Sequence, residues 1–382
     1  MSALPEQELH AAGNLGGIVD LDRSVSFSGV KLPKAQHDNS LHVPRHYAEF
    51  HPDDYSLEIM RNLAVAILLR HPVLFEGGTS LGKTTAVRQL AALLGYEVHY
   101  LNFNGLVDPE SMMGRFIPFE GGYAFKDGPV TRGLRQEPGK RKIILLDELG
   151  SAKPNMLIRL HEVLDALEKN APVTLTESQN ELVATDSSCT HLVALTNPPG
   201  QGFLGKEPLD PALLRRWIYQ KLLNQLPPGV FVELTNVLFG QATDGVVGAN
   251  VDVVVSRDDA MTIEGLAEIP GIGEILEKYR EFHKFAQNQV ALRRVGKDQP
   301  QRFTFDDRME PRRVRDFFLH FYAGDINETM LAALKYFYVN KLETESDRQV
   351  LLEAARQVVY VPKSLVRSQR IALTGTADYR ST

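Results

Sequence analysis

Eight consecutive residues, GGTSLGKT from Gly77 to Thr84, have the types and spacing to hold a phosphate chain. Glycines let successive backbone N–H groups curl around an anion. A lysine directly after the last glycine neutralises phosphate oxygens, and the next hydroxyl can reach a divalent cation. Gly77, Gly78, Thr79, Ser80, Leu81, Gly82, Lys83, Thr84 and Thr85 are therefore the candidate nucleotide-binding residues. A second signal is KIILLDELG, an apolar run ending in Asp147 and Glu148. There Asp147 would hold Mg2+ through water, beside the hydroxyl that Thr84 supplies to the ion, and Glu148 would orient and activate an attacking water. A third apolar run, HLVALTN, ends on Asn197, placed to hold that water or to read the terminal phosphate. Further on, LDPALLRRW offers Arg215 and Arg216, and MEPRRVRDFF offers Arg312 and Arg313. Guanidinium groups at either place could stabilise charge in a phosphoryl-transfer transition state. Each signal has a plainer reading: a glycine turn, a strand ending in acids, an asparagine before Pro198, and arginines on a solvated face.

These residues need particular elements to position them. The loop requires a strand before it and a helix after it, and VLFE at 73–76 and TTAVRQLAALLG at 84–95 meet that requirement, with Gly95 as the helix stop. Helical spacing of Leu57, Met60, Leu63, Ala64, Ile67 and Leu68 behind Asp53 and Asp54 predicts a preceding helix. From there to about residue 225, strand candidates at 97–103, 142–148, 191–197 and 218–223 alternate with helices, the pattern of a parallel sheet covered on both faces. Two β-hairpins interrupt it: 115–128, turning on Gly121-Gly122, and 173–184. The predicted organisation is an extended N-terminal arm over 1–45 with at most one short edge strand, an α/β domain over 46–226, and a smaller helical domain over 227–382 with a loop or ribbon near 240–256.

Composition narrows the class without naming the chemistry. The 382 residues carry 42 Lys+Arg against 48 Asp+Glu, a net charge of −6 with no basic block, which argues against nucleic acid or an anionic membrane as partner. One cysteine, Cys189, can form no internal disulfide and no thiolate cage, and the histidines show no metal spacing, which places the chain in a reducing, cytoplasmic setting. The run LAVAILL falls short of the roughly 20 residues of a membrane span. The N-terminus lacks the pattern of a secretory leader. IPGIGEIL at 269–276 could be a DNA-gripping hairpin, but without flanking basic residues it reads as a capped helix turn.

Taken in order, GGTSLGKTT, LVDPESMMGRFIPFEGGYAFKDGPVTRGLRQ, IILLDELGSAKPNMLIRLHEVLD, ALTNPPGQGFLGKEPLDPALLRRW and MEPRRVRDFF resemble the AAA+ ATPases of the MoxR-like and midasin-like (dynein-related) branch over about residues 45–340. The resemblance implies a P-loop AAA+ fold: a parallel sheet flanked by helices, β-hairpin insertions and a helical lid. It implies Lys83 and Thr84 as Walker A, Asp147 and Glu148 as Walker B, Asn197 as sensor 1 and Arg312 as sensor 2. For the arginine finger it favours Arg216, directly before an aromatic residue, over Arg215. It also implies ATP and Mg2+ as ligands, a homo-oligomeric, hexameric ring, and remodelling of a protein partner together with a von Willebrand A domain protein. Contact with that partner or the ring centre is expected at the 115–128 hairpin, through Phe116, Phe119, Tyr123 and Phe125. Two other readings are an NTP-driven nucleic-acid motor of a restriction or defence system, which the net charge disfavours, and a non-hydrolysing nucleotide-dependent scaffold, which Glu148 disfavours.

Overall fold

The computed structural model describes residues 14–15, 17–37, 39–50, 52–103, 107–198, 209–223, 226–241, 261–296 and 305–358. The chain divides into two compact units, residues 1–225 and residues 226–382.

The first unit opens with a sheet where an extended arm was expected. Strands β1 (Asn14–Leu15), β2 (Ile18–Leu21), β3 (Ser24–Phe27) and β4 (Val30–Pro33) pair antiparallel in sequence order. Ser28 and Gly29, at φ +45° and +90°, make the two-residue turn between β3 and β4, in which both central residues need positive φ. Ile18, Val25, Phe27 and Leu32 are buried, but so are Ser24 and Ser26. Ser24 and Ser26 alternate with Val25 and Phe27 and all four are buried, so a strand that hydropathy shows as half polar is covered on both faces.

Helix α1 (Asp54–Leu69) starts on Asp53, whose carboxylate accepts the Ser56 N–H at 2.8 Å, and ends on Arg70 in the left-handed region. There follow β5 (Val73–Glu76), α2 (Lys83–Leu94), β6 (Glu97–Asn102), α3 (Pro109–Met113), β7 (Gly114–Phe119), β8 (Gly122–Asp127), α4 (Pro129–Leu134), β9 (Lys142–Asp147), α5 (Pro154–Lys169), β10 (Val173–Leu175), β11 (Glu181–Val183), β12 (Thr190–Thr196), α6 (Pro211–Leu214) and β13 (Ile218–Lys221). Five of these strands form one parallel sheet in the order β13-β5-β12-β9-β6. Leu74, Ile144, Leu146, Leu192 and Ala194 pack on Met156, Leu160, Val163 and Leu164 of α5. Their strand neighbours Val73, Phe75, Ile143, Leu145 and Val193 point to the other face and are equally buried. A sheet buried on both faces explains why its strands read as unbroken apolar runs.

Both expected hairpins form. β7 and β8 pair with Phe119 opposite Gly122, so the turn is Glu120-Gly121, one residue earlier than expected. β10 and β11 pair from Val173–Val183 to Leu175–Glu181.

The second unit is helical in its described residues: α7 (Pro228–Leu238), α8 (Ile263–Ala267), α9 (Ile272–Ala291), α10 (Met309–Phe321), α11 (Ile326–Phe337) and α12 (Glu345–Val358). Tyr279, Phe282, Phe318, Leu334 and Tyr338 form its core. Within it His283 is bonded through both ring nitrogens, to the Tyr338 hydroxyl at 2.6 Å through Nδ1 and to Asp307 at 3.0 Å through Nε2. The 269–276 segment is the turn from α8 and the first residues of α9, with Ile269 and Ile272 buried. The expected loop or ribbon near 240–256 lies, apart from Gly240 and Gln241, outside the described residues. Among the described residues no helix is long and apolar enough to cross a membrane.

Candidate functional site

The carboxyl ends of β5, β12 and β9 lie side by side, and the residues singled out on each of them meet there. From Glu76 the chain turns into the 77–82 loop and enters α2 through Gly82, at φ +82°. Gly77 donates its N–H to the Thr196 carbonyl at 3.1 Å, and Gly78 to the Leu223 carbonyl at 3.2 Å. A Cβ on Gly77 would stand 2.8 Å from Leu222 Cβ, so only glycine fits between the loop and the end of β13. Leu81 is buried, whereas Thr79 is exposed and Ser80, at φ +59°, is half-buried. Among the described residues, the N–H groups of Thr79, Ser80, Leu81 and Gly82 find no protein acceptor. Four free donors at the start of a twelve-residue helix can receive an anion. Thr85 is half-buried in the first turn of α2.

Lys83 is 7 % exposed and its Nζ donates to Gly77 O at 2.9 Å, Gly78 O at 2.6 Å and Asn197 Oδ1 at 3.1 Å. The Nδ2 of Asn197 in turn donates to Glu148 Oε1 at 2.9 Å. Glu148 itself has left-handed backbone, φ 58° and ψ 38°, which costs a non-glycine residue roughly 1–2 kcal/mol. Thr84 Oγ1 donates to Asp147 Oδ2 at 3.1 Å, while the Glu148 N–H donates to Asp147 Oδ1 at 3.0 Å. Thus Lys83, Thr84, Asp147, Glu148 and Asn197 form one connected polar cluster. A hydroxyl beside a carboxylate is a hard-oxygen donor set of the kind that suits Mg2+, which takes few protein ligands and keeps waters or phosphate oxygens for the rest. No group of three or more His, Cys, Asp and Glu side chains among the described residues could hold a metal by itself.

The arginines stand apart from this cluster in the described contacts. Arg216 lies between α6 and β13 and is gripped by Asp165 of α5, Nε to Oδ1 at 2.6 Å and Nη2 to Oδ2 at 3.2 Å, with Nη1 on Ala212 O at 2.9 Å. Its hydrogen bonds hold the Asp165 carboxyl below the usual carboxylate range. Arg215, next to it, is exposed. Arg312 belongs to the second unit, half-buried in the first turn of α10. That turn is firmly capped: Asp306 Oδ1 accepts the N–H groups of Arg308 and Met309, both at 2.8 Å, and Glu310 returns a carboxylate to the Asp306 N–H at 2.6 Å. Arg313 is paired with Glu310 at 3.2 Å.

On the β7–β8 hairpin, Phe116, Phe119 and Tyr123 are 41 %, 68 % and 77 % exposed, whereas Phe125 packs against the core and meets the Phe116 ring edge-on at 5.3 Å. Two participants escaped the sequence reading. Asp165 could not be found from spacing, because it joins Arg216 across separate elements. Tyr100, which bonds to Asp147, carried a weak signal: it shares a strand face with Asn102, two residues on, beside the strand that ends in Asp147.

The sequence pattern of the AAA domain, dynein-related subfamily, matches residues 72–217. The chain is 29% identical over 161 residues to midasin of Giardia intestinalis, and 30% identical over 161 residues to midasin of Dictyostelium discoideum. Each match takes in 42% of this chain and 3% of the midasin. With the protein NorQ of Paracoccus denitrificans it shares 29% identity over 147 residues, 38% of this chain and 50% of NorQ. The chain thus spans a small fraction of the midasins and half the length of NorQ.

Proposed function

We propose, on the premise that residues 72–217 are an AAA+ ATPase domain of the MoxR/midasin type, that this protein binds Mg2+·ATP in its 77–85 loop and hydrolyses it. The observation that carries the proposal is the single cluster joining Lys83, Asn197 and Glu148 on one side and Thr84 and Asp147 on the other. Lys83 now spends its ammonium donors on two loop carbonyls and an amide. A phosphate would replace neutral acceptors with charged ones, and such bonds are roughly twice as strong. The four free N–H groups of the loop take the remaining phosphate oxygens. Thr84 and Asp147 hold the cation, which when bound neutralises charge on the β- and γ-phosphates. Glu148 accepts the proton of the attacking water, and Asn197, bonded to its Oε1, fixes the direction in which that carboxylate points.

Arg216 supplies a cation to the γ-phosphate of a neighbouring subunit, and Arg312 keeps the sensor 2 role that the sequence resemblance implies. Asp165 and Ala212 occupy three of the five N–H groups of Arg216 and leave one on each terminal nitrogen, a pair suited to a phosphate. That arrangement supports Arg216 over Arg215 as the finger. A site shared in this way calls for a closed homo-oligomer, which we place in the cytoplasm as a hexameric ring. Its cycle remodels a protein partner, acting with a von Willebrand A domain protein and contacting its target through the exposed Phe119 and Tyr123 of the hairpin.

Two variants test the core of the proposal. Lys83→Ala should abolish binding of a fluorescent ATP analogue. Glu148→Gln preserves shape and the acceptor oxygen that Asn197 needs, so it should bind nucleotide normally and lose about 10²–10⁴ in turnover, the usual worth of a general base. Phosphate release by Glu148→Gln within tenfold of the unmodified protein would remove Glu148 from the chemistry.

A further inference from the structure

Strand β6 carries a side chain that the hydrolytic cluster does not need for its connectivity, yet points it at the same carboxylate. The Tyr100 hydroxyl donates to Asp147 Oδ2 at 3.1 Å, the oxygen that also takes the Thr84 hydroxyl at 3.1 Å. Asn102 donates its Nδ2 to the Tyr100 oxygen at 3.1 Å, so the phenol accepts on one side and gives its proton to Asp147 on the other. The ring is held as well. The Arg88 guanidinium of α2 lies over it at 4.8 Å from the centroid and over the Tyr47 ring at 5.5 Å, with Nη1 bonded to the Tyr47 hydroxyl at 2.9 Å. Tyr47 packs on Phe50, whose carbonyl accepts Gln89 Nε2 at 2.6 Å.

The carboxylate needs such a support. A terminal Asp torsion is broad and nearly two-fold, so hydrogen bonds decide which way its oxygens face. Of the three donors on Asp147, the Glu148 N–H holds Oδ1 and the Thr84 hydroxyl holds Oδ2. Thr84 is the group whose oxygen turns to a cation. Tyr100 is the donor on Oδ2 with no competing duty.

We propose that Tyr100 is a positioning residue of the magnesium site, holding Asp147 in the orientation that receives the cation while Asn102 and Arg88 hold Tyr100. The inference rests on the reading of Asp147 and Thr84 as the magnesium ligands. Losing an outer partner of a metal ligand typically costs tenfold to hundredfold in metal affinity. Because Tyr100 is 37 % exposed and water can replace its hydroxyl in part, the low end applies, about tenfold.

Binding of a fluorescent ATP analogue, titrated in EDTA and then across a Mg2+ series, separates the outcomes. Tyr100→Phe keeps the ring under Arg88 and removes only the hydroxyl. It should bind nucleotide in EDTA as the unmodified protein does and need about tenfold more Mg2+ for half-maximal enhancement. Asp147→Asn serves as the reference and should move the Mg2+ curve further. If Asp147→Asn shifts the curve and Tyr100→Phe does not, the inference fails and the magnesium assignment stands. If Asp147→Asn leaves the curve in place, the assignment fails and takes the inference with it. Equal weakening by Tyr100→Phe with and without Mg2+ would make Tyr100 a structural residue and overturn the inference too.

Discussion

Mild acid should weaken the first unit at the end of its sheet away from the phosphate loop, and the size of the effect follows from two buried histidines. His99, third residue of β6, is 4 % exposed. Burial, with repulsion from Lys142 and His42, lowers its pKa from 6.5 to about 4 although Glu97 pulls the other way. His191, second residue of β12, is 6 % exposed, and burial, with Arg141 and Arg70, lowers it to about 3 against the pull of Asp186. In the unfolded chain both titrate near 6.5, so between the folded and unfolded values the unfolded chain binds more protons. Their contribution is complete above pH 6.5 and is lost as the pH falls toward 4 and 3. At pH 5 each histidine costs about 2 kcal/mol and the pair about 4 kcal/mol, a large share of a domain stability of roughly 5–15 kcal/mol. Carboxylates held low by ion pairs, such as Glu137 at about 2 through Lys140 and Lys142, lose their contribution as the pH falls from about 4.5 toward 2, so they weigh little at pH 5. Urea unfolding followed by circular dichroism at pH 7.5 and pH 5 measures the loss. His191→Phe keeps a ring against Tyr96, now 6.1 Å away, and removes a buried Nε2 that lacks a hydrogen-bond partner. The variant should lose about 2 kcal/mol over that interval where the unmodified protein loses about 4 kcal/mol. Identical pH dependence in the two proteins would refute the reasoning.

Two other expectations concern the site. Gly77→Ala forces a Cβ to 2.8 Å from Leu222 Cβ and 3.2 Å from Leu223 O, atoms that cannot swing away because they belong to or adjoin the backbone. Overpacking of that kind costs about 1–3 kcal/mol, and here it pushes the loop off its bond to Leu223, so fluorescent-nucleotide affinity should fall about tenfold or more. Arg216→Ala should leave nucleotide binding intact and stop turnover. Mixed with Glu148→Gln subunits it should regain part of the activity, since some interfaces then pair an intact Arg216 with an intact Glu148. Absence of rescue at every mixing ratio counts against a shared site.

Which parts of this arrangement could be read from the chain depends on the distance over which each is specified. The loop from Gly77 to Thr85 is contiguous, and Asp147, Glu148 and Asn197 each close an apolar run, so strand ends and a glycine turn were enough to bring them to one edge of a parallel sheet. The N-terminal sheet was missed because its burial is carried partly by Ser24 and Ser26, whose burial hydropathy does not announce. Tyr100 needed the register between β6 and β9, in which it stands opposite Leu145 and Asn102 opposite Asp147; alternation alone gives a face and not a partner. The two arginines show the limit most plainly. As neighbours Arg215 and Arg216 are chemically equivalent in the sequence, but one faces solvent and the other is clamped by Asp165 with two N–H groups left over. A finger that reaches another subunit gains from being held before the encounter, because less rotamer entropy is lost on contact. Asp165 therefore argues for Arg216, and Asp165→Asn should raise the subunit concentration needed for half-maximal turnover while leaving single-subunit nucleotide affinity unchanged.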